Sequence, residues 1–174
     1  ILIRILQGFG MKVVAYDLYP DEKYAREVGI SYVSLDGLYA QADMISLHVP
    51  LTDQTKNMID AQSIAKMKEG TIIINTSRGQ LIHTNALIEG LKSKKIAAAG
   101  LDVYEEEEGY FYEDQSDKII DDDVLARLLS FNNVIVTSHQ GFFTEEALTN
   151  IAETTLQNAE AFRTGMELKN EIYL

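Results

Sequence analysis

Apolar residues along this chain fall into short continuous runs, each separated from the next by a segment whose apolar positions recur at three and four. The runs 12–16, 31–33, 44–49, 71–74, 96–101 and 133–136 read as strands covered on both faces. The intervening segments carry helix signals. An amphipathic rhythm over 1–6 stops at Gly8 and Gly10, and Pro20 with Asp21 starts a helix that runs toward Val28 and ends at Gly29. Ser34 caps 35–42, Asp60 caps 61–68 with Gly70 closing it, and Thr84 caps 85–94. Asp121–Asp123 place acid at the positive end of a helix reaching Ser130, and a long helix over 144–164 is followed by Gly165. Residues 105–120 form a polar, aromatic-bearing loop. Strict alternation of apolar strands and helices predicts an α/β fold, a doubly wound parallel sheet of Rossmann type.

In such a sheet the first strand is central and leads through Gly-x-Gly-x-x-Gly into a helix whose N-terminus receives a pyrophosphate. Here the first strand and that turn are missing, because the sequence opens inside the helix that follows the turn. The expectation is a fragment of a longer protein whose sheet is split into two halves. Residues 1–143 would be a partial dinucleotide-binding domain, and 144–174 a helix and tail that pack on it or reach toward another domain. Asp17 stands at the end of the next strand, where an acid binds ribose hydroxyls.

Composition narrows the class. The 174 residues are 46% hydrophobic, enough for one sizeable core, and carry a net charge of −12 from 15 Lys+Arg and 27 Asp+Glu. An acidic surface without a basic cluster argues against a nucleic-acid partner. There is no cysteine, so disulfides, thiolate catalysis and Cys-type zinc sites are excluded. No apolar run approaches the roughly 20 residues that span a bilayer, and no signal-peptide pattern is present, which predicts a cytoplasmic protein. No His/Asp/Glu spacing suggests a metal site.

The candidate chemistry lies where strands end, the edge at which open parallel sheets bind ligands. After 71–74 comes Asn75-Thr76-Ser77-Arg78-Gly79, after 96–101 comes Asp102-Val103-Tyr104-Glu105-Glu106-Glu107, and after 133–136 comes Thr137-Ser138-His139-Gln140-Gly141. Arg78 can form a bidentate pair with a substrate carboxylate, or be a surface arginine paired with an acid. His139 can give a proton to a carbonyl oxygen, and a neighbouring carboxylate would hold it as the imidazolium. The acid is ambiguous within Glu105–Glu108, of which at least three are expected to be solvated. Asp102, at the strand end, could meet a cofactor. His48, Val49 and Pro50 end another strand and could line one too, His48 being equally readable as structural. His83 reads as a surface residue.

Taken together, these segments resemble the D-isomer-specific 2-hydroxyacid dehydrogenases, and within that family the fermentative D-lactate dehydrogenases. The resemblance is carried by Gly8-Phe9-Gly10-Met11-Lys12-Val13, Ile45-Ser46-Leu47-His48-Val49-Pro50-Leu51-Thr52, residues 74–79, 100–107 and 138–147. The stretch Gly109-Tyr110-Phe111-Tyr112-Glu113-Asp114 points to the lactate subgroup. The resemblance implies a catalytic set in which Arg78 binds the substrate carboxylate, Glu107 pairs with the histidine, and His139 donates the proton. It implies Asp17 as the adenine-ribose ligand, favouring NAD over NADP, with cofactor contacts from Val49, Pro50, Thr55, Thr76, Ser77 and Asp102, to which the strand-end positions of His48 and Arg78 add two further cofactor-binding candidates. It further implies interconversion of a 2-keto and a D-2-hydroxy acid, pyruvate and D-lactate in the first place, by a homodimer. The alternatives are a dehydrogenase for a bulkier acid and a non-catalytic NAD-sensing protein of the same fold.

Overall fold

A computed structural model describes residues 1–107 and 121–172, in two compact units, Ile1–Ser138 and His139–Leu174. The stretch 109–114 that points to the lactate subgroup, and Glu108, lie outside the described residues.

Among the described residues, side-chain caps start every α-helix of the first unit but its first. Helix α1 (Leu2–Gly8) leads into strand β1 (Val14–Ala15), and α2 (Glu22–Val28) is capped by the Asp21 carboxylate and closed by Gly29 at φ +73°. After β2 (Ser31–Tyr32), the Ser34 hydroxyl accepts the Gly37 amide to start α3 (Leu35–Gln41), and β3 (Met44–Leu47) follows. A reciprocal Asp60–Ser63 capping box opens α4 (Ala61–Lys66). This helix stops at Met67, before the predicted 68, and Gly70 at φ +79° instead turns the chain into β4 (Thr71–Asn75). A single 3-10 turn (Gly79–Leu81) precedes α5 (Thr84–Lys92), β5 (Ile96–Leu101), α6 (Asp123–Leu129) and β6 (Val134–Val136).

Thr84 does not cap α5 as predicted. His83 is the cap, its Nδ1 accepting the Ala86 amide at 3.2 Å, so this exposed residue also has a structural task. Thr84 is the first helical residue and is buried.

All strand pairs are parallel, and the sheet is in two pieces, β1-β2 and β3-β4-β5-β6. That is the split the sequence predicts. Val14 and Ala15 of β1 and Ile45 and Leu47 of β3 line a cavity of about 930 Å³. The core lies on the four-stranded piece, where Ile59, Ile73, Leu81, Ile96 and Leu128 are wholly buried. Each such side chain contributes roughly 1.5–3 kcal/mol by leaving water. Along β4 burial alternates, so Thr71, Ile73 and Asn75 share the inward face. A polar residue thus ends a buried row at the rim where ligands bind.

In the second unit the Thr144 hydroxyl accepts the Ala147 amide to start α7 (Glu145–Thr164), and Gly165 at φ +67° ends it. No helix among the described residues is long and apolar enough to cross a membrane.

Candidate active site

The turn after β4 is organised by Asn75, which is 1% exposed. Its Oδ1 accepts the Ser77 amide at 3.0 Å and its Nδ2 donates to the Arg78 carbonyl at 2.9 Å. The Asp102 amide donates to the Asn75 carbonyl at 2.9 Å, tying this turn to the end of β5. Ser77 Oγ donates to the Val49 carbonyl at 2.7 Å, which joins it to the end of β3. Arg78 emerges from this frame exposed, its Nη1 donating to the Ser77 carbonyl at 2.7 Å. Among the described residues no carboxylate pairs with it, and the Ser77 carbonyl takes one of its five N–H donors.

The segment after β5 is pinned from three sides. The buried Tyr104 donates its hydroxyl to the Asp122 carboxylate at 2.7 Å, and Asp122 also caps α6 through the Val124 and Leu125 amides. Burial first, and then the neighbouring Asp122, hold the Tyr104 phenol above its ordinary pKa. The Tyr104 amide donates to Glu107 Oε2 at 3.0 Å. Glu105 accepts from the Thr84 amide and hydroxyl at 3.2 and 2.9 Å. The expectation that at least three of the four glutamates are solvated fails here: Glu106 is exposed, but Glu105 and Glu107 are both half-buried. Glu105 leaves solvent because a carboxylate suits the unpaired donors at a helix start.

The remaining first-unit candidates fall into two groups. Asp102 is buried at the end of β5, and the Thr137 hydroxyl donates to it. Thr76 is exposed at the β4 turn. Thr55 Oγ1 donates to the Pro50 carbonyl at 2.7 Å, and His48 Nε2 lies 2.8 Å from Ser46 Oγ, so these residues shape the end of β3. Asp17 is on the other sheet, exposed beyond β1, with Oδ1 accepting the Tyr19 amide at 2.8 Å. Its other oxygen is available to accept a hydroxyl, which is the chemistry a dinucleotide ribose calls for.

His139 opens the second unit. Ser138 and His139 both hold left-handed backbone, at φ +52° and +55°. Two consecutive non-glycine residues in that region carry strain that concentrates at functional positions. The Gln140 carbonyl accepts the Phe143 amide at 2.9 Å, a turn that leads to the α7 cap.

Asp122 opens α6 as the acid run predicts, but sequence reasoning missed its bond to Tyr104, the partnership of Thr84 with Glu105 and the task of Asn75. Asn75 left a signal of its own, since the period-2 register sets it on the inward face with Thr71 and Ile73.

A family model described as D-isomer specific 2-hydroxyacid dehydrogenase, NAD binding domain, matches residues 1–141. The chain is 52% identical to an aromatic 2-oxoacid reductase of Clostridium sporogenes over 98% of its own length and 51% of the relative's. It is 47% identical to a D-lactate dehydrogenase of Escherichia coli, over 98% of this chain and 52% of that protein. A crystal structure of D-lactate dehydrogenase with NAD+ from Lactobacillus jensenii superposes with a TM-score of 0.88 at 35% identity, covering 99% of this chain and 52% of that one. The chain therefore spans about half the length of the curated relatives it matches.

Proposed function

The chain belongs to the D-isomer specific 2-hydroxyacid dehydrogenases, and from that premise we propose that the protein interconverts a 2-oxo acid and a D-2-hydroxy acid with NAD, pyruvate and D-lactate being the pair. Bound NAD supplies the hydride acceptor or donor for the carbonyl carbon. Arg78 grips the substrate carboxylate through its guanidinium fork, which fixes the carbonyl in one orientation. His139 delivers a proton to the carbonyl oxygen during reduction and takes one from the hydroxyl during oxidation. Glu107 orients the imidazole and favours its protonated form. Asp17 accepts the ribose hydroxyls, and its charge opposes a 2′-phosphate.

The observation that carries this reading is an arginine without a carboxylate partner among the described residues, held by buried Asn75 in a turn bonded to the end of β5. The net charge of −12 and the absence of cysteine support a cytoplasmic enzyme without a nucleic-acid partner. A homodimer of the full-length gene product belongs to the same reading.

A second substrate reading has support of its own. The aromatic 2-oxoacid reductase is 52% identical, against 47% for the D-lactate dehydrogenase of Escherichia coli. Comparing kcat/KM for pyruvate and for an aromatic 2-oxo acid separates the two.

The test of the chemistry is His139→Ala in the full-length gene product. Turnover should fall roughly 10²–10⁴-fold, the usual worth of a positioned acid–base, with NADH affinity little changed. Unaltered turnover would remove His139 from the mechanism.

A further inference from the structure

We propose that Glu105 is a positioning residue that acts through Glu107, by anchoring the peptide between Tyr104 and Glu105 to the start of α5. The proposal rests on the reading of Glu107 as the acid of the reaction.

The Glu107 carboxylate has a specific protein donor, the Tyr104 amide at 3.0 Å. Its direction therefore depends on how residue 104 is held. On one side the Tyr104 carbonyl lies against Gly79 so closely that a Cβ there would approach its oxygen to 1.9 Å. On the other side the next residue, Glu105, takes both the amide and the hydroxyl of Thr84, which is only 5% exposed. The peptide is clamped between the Arg78 turn and α5, and the Glu105 side chain supplies the second jaw.

Its chemistry fits that task. A carboxylate accepts two donors at once, and its charge suits the positive end of a helix. Alanine removes both bonds and leaves the Thr84 donors without them. Glutamine keeps an acceptor oxygen for the same two donors while losing the charge.

The test is steady-state kinetics on variants of the full-length gene product, with pyruvate and NADH. Glu105→Ala should lower kcat roughly tenfold, within the usual range of coupling between residues in contact. The NADH dissociation constant should stay at the wild-type value, and Glu105→Gln should restore most of the rate. In a Glu107→Gln background, Glu105→Ala should cost nothing further, because its effect has lost the group it passes through. Losses that multiply in the double variant overturn the proposal, as does a wild-type rate in Glu105→Ala. If Glu105→Ala does not fold, Thr84→Val removes one of the two bonds and should show a smaller loss with the same dependence on Glu107; a loss independent of Glu107 overturns the proposal equally. A wild-type rate in Glu107→Gln alone overturns the reading of Glu107 itself, and is distinguishable because it requires no change at Glu105.

Discussion

Gly79 and Tyr104 are in backbone contact across the rim of the sheet. A Cβ on Gly79 would lie 1.9 Å from the Tyr104 carbonyl oxygen, 2.1 Å from its carbonyl carbon and 2.6 Å from the Glu105 nitrogen. Every one of those atoms is main chain, so no side chain can swing aside. Glycine is needed here for closeness, since its φ is not among the positive ones. The contact makes the turn bearing Arg78 and the segment bearing Glu107 one object.

Gly79→Ala should therefore drive these two loops apart. Overpacking in a buried site costs about 1–3 kcal/mol, and backbone obstruction sits at the upper end. The urea midpoint of the purified protein should drop accordingly, and the KM for the keto acid should rise as Arg78 is displaced. An unchanged midpoint would mean the loops are not packed as described.

Asn75 supports the same turn from below. Asn75→Ala removes the partner of the Ser77 amide and the Arg78 carbonyl, both at a part-buried rim, so the loss should lie near the lower end of the about 1–3 kcal/mol that an unpaired buried polar group costs. The loss should appear in stability and, through Arg78, in keto-acid KM more than in NADH KM. Equal effects on the two KM values would show that Asn75 does not act on the carboxylate-binding side.

Much of the scaffold was legible in the sequence because caps and turns are local chemistry. Asp21, Ser34 and Asp60 each accept an amide of the following turn, and Gly29 closes α2 in the left-handed region. Strand β5 spans Ile96–Leu101, the whole of its apolar run. The strand-end positions of Arg78, Asp102 and Glu107 follow from that alternation. What could not be read is that Glu105 leaves solvent, because that depends on a partner 21 residues upstream, Thr84. His83 in place of Thr84 as the α5 cap is a one-residue shift of the kind that only three-dimensional competition decides. Strand β1 covers just Val14–Ala15 of the predicted 12–16, and it pairs on one side only.

Tyr39 makes stability depend on alkaline pH. It is buried on α3 and donates its hydroxyl to the Met58 carbonyl at 2.8 Å. Burial, with Asp60 and Asp36 nearby, pushes its pKa from 10.0 to about 12. The unfolded chain loses this proton first, so it binds fewer protons than the native state between those values, and stability falls as pH rises. The contribution is intact below pH 10 and is lost on passing through about 12. The phenol of Tyr104, raised by burial and Asp122, acts in the same direction. Tyr39→Phe should lower stability at pH 8 by about 1 kcal/mol for the missing hydrogen bond and flatten the alkaline decline. Urea midpoints taken across the alkaline range check it, and a decline as steep as the wild type's would contradict it.

The left-handed backbone at Ser138 and His139 allows position and chemistry to be separated at the proposed proton donor. At φ +55° a β-carbon approaches the following carbonyl, a conflict of about 1–2 kcal/mol that asparagine relieves through local hydrogen bonding. His139→Asn should keep the melting temperature near the wild-type value while removing the imidazole. His139→Val should lose the imidazole and add the full steric penalty of a branched side chain. Turnover should collapse in both, while the melting temperature should fall only in the valine variant. Equal melting temperatures would show that the backbone at 139 is not held in the left-handed region. Turnover surviving in the asparagine variant would show that the strained backbone serves something other than a proton-donating ring.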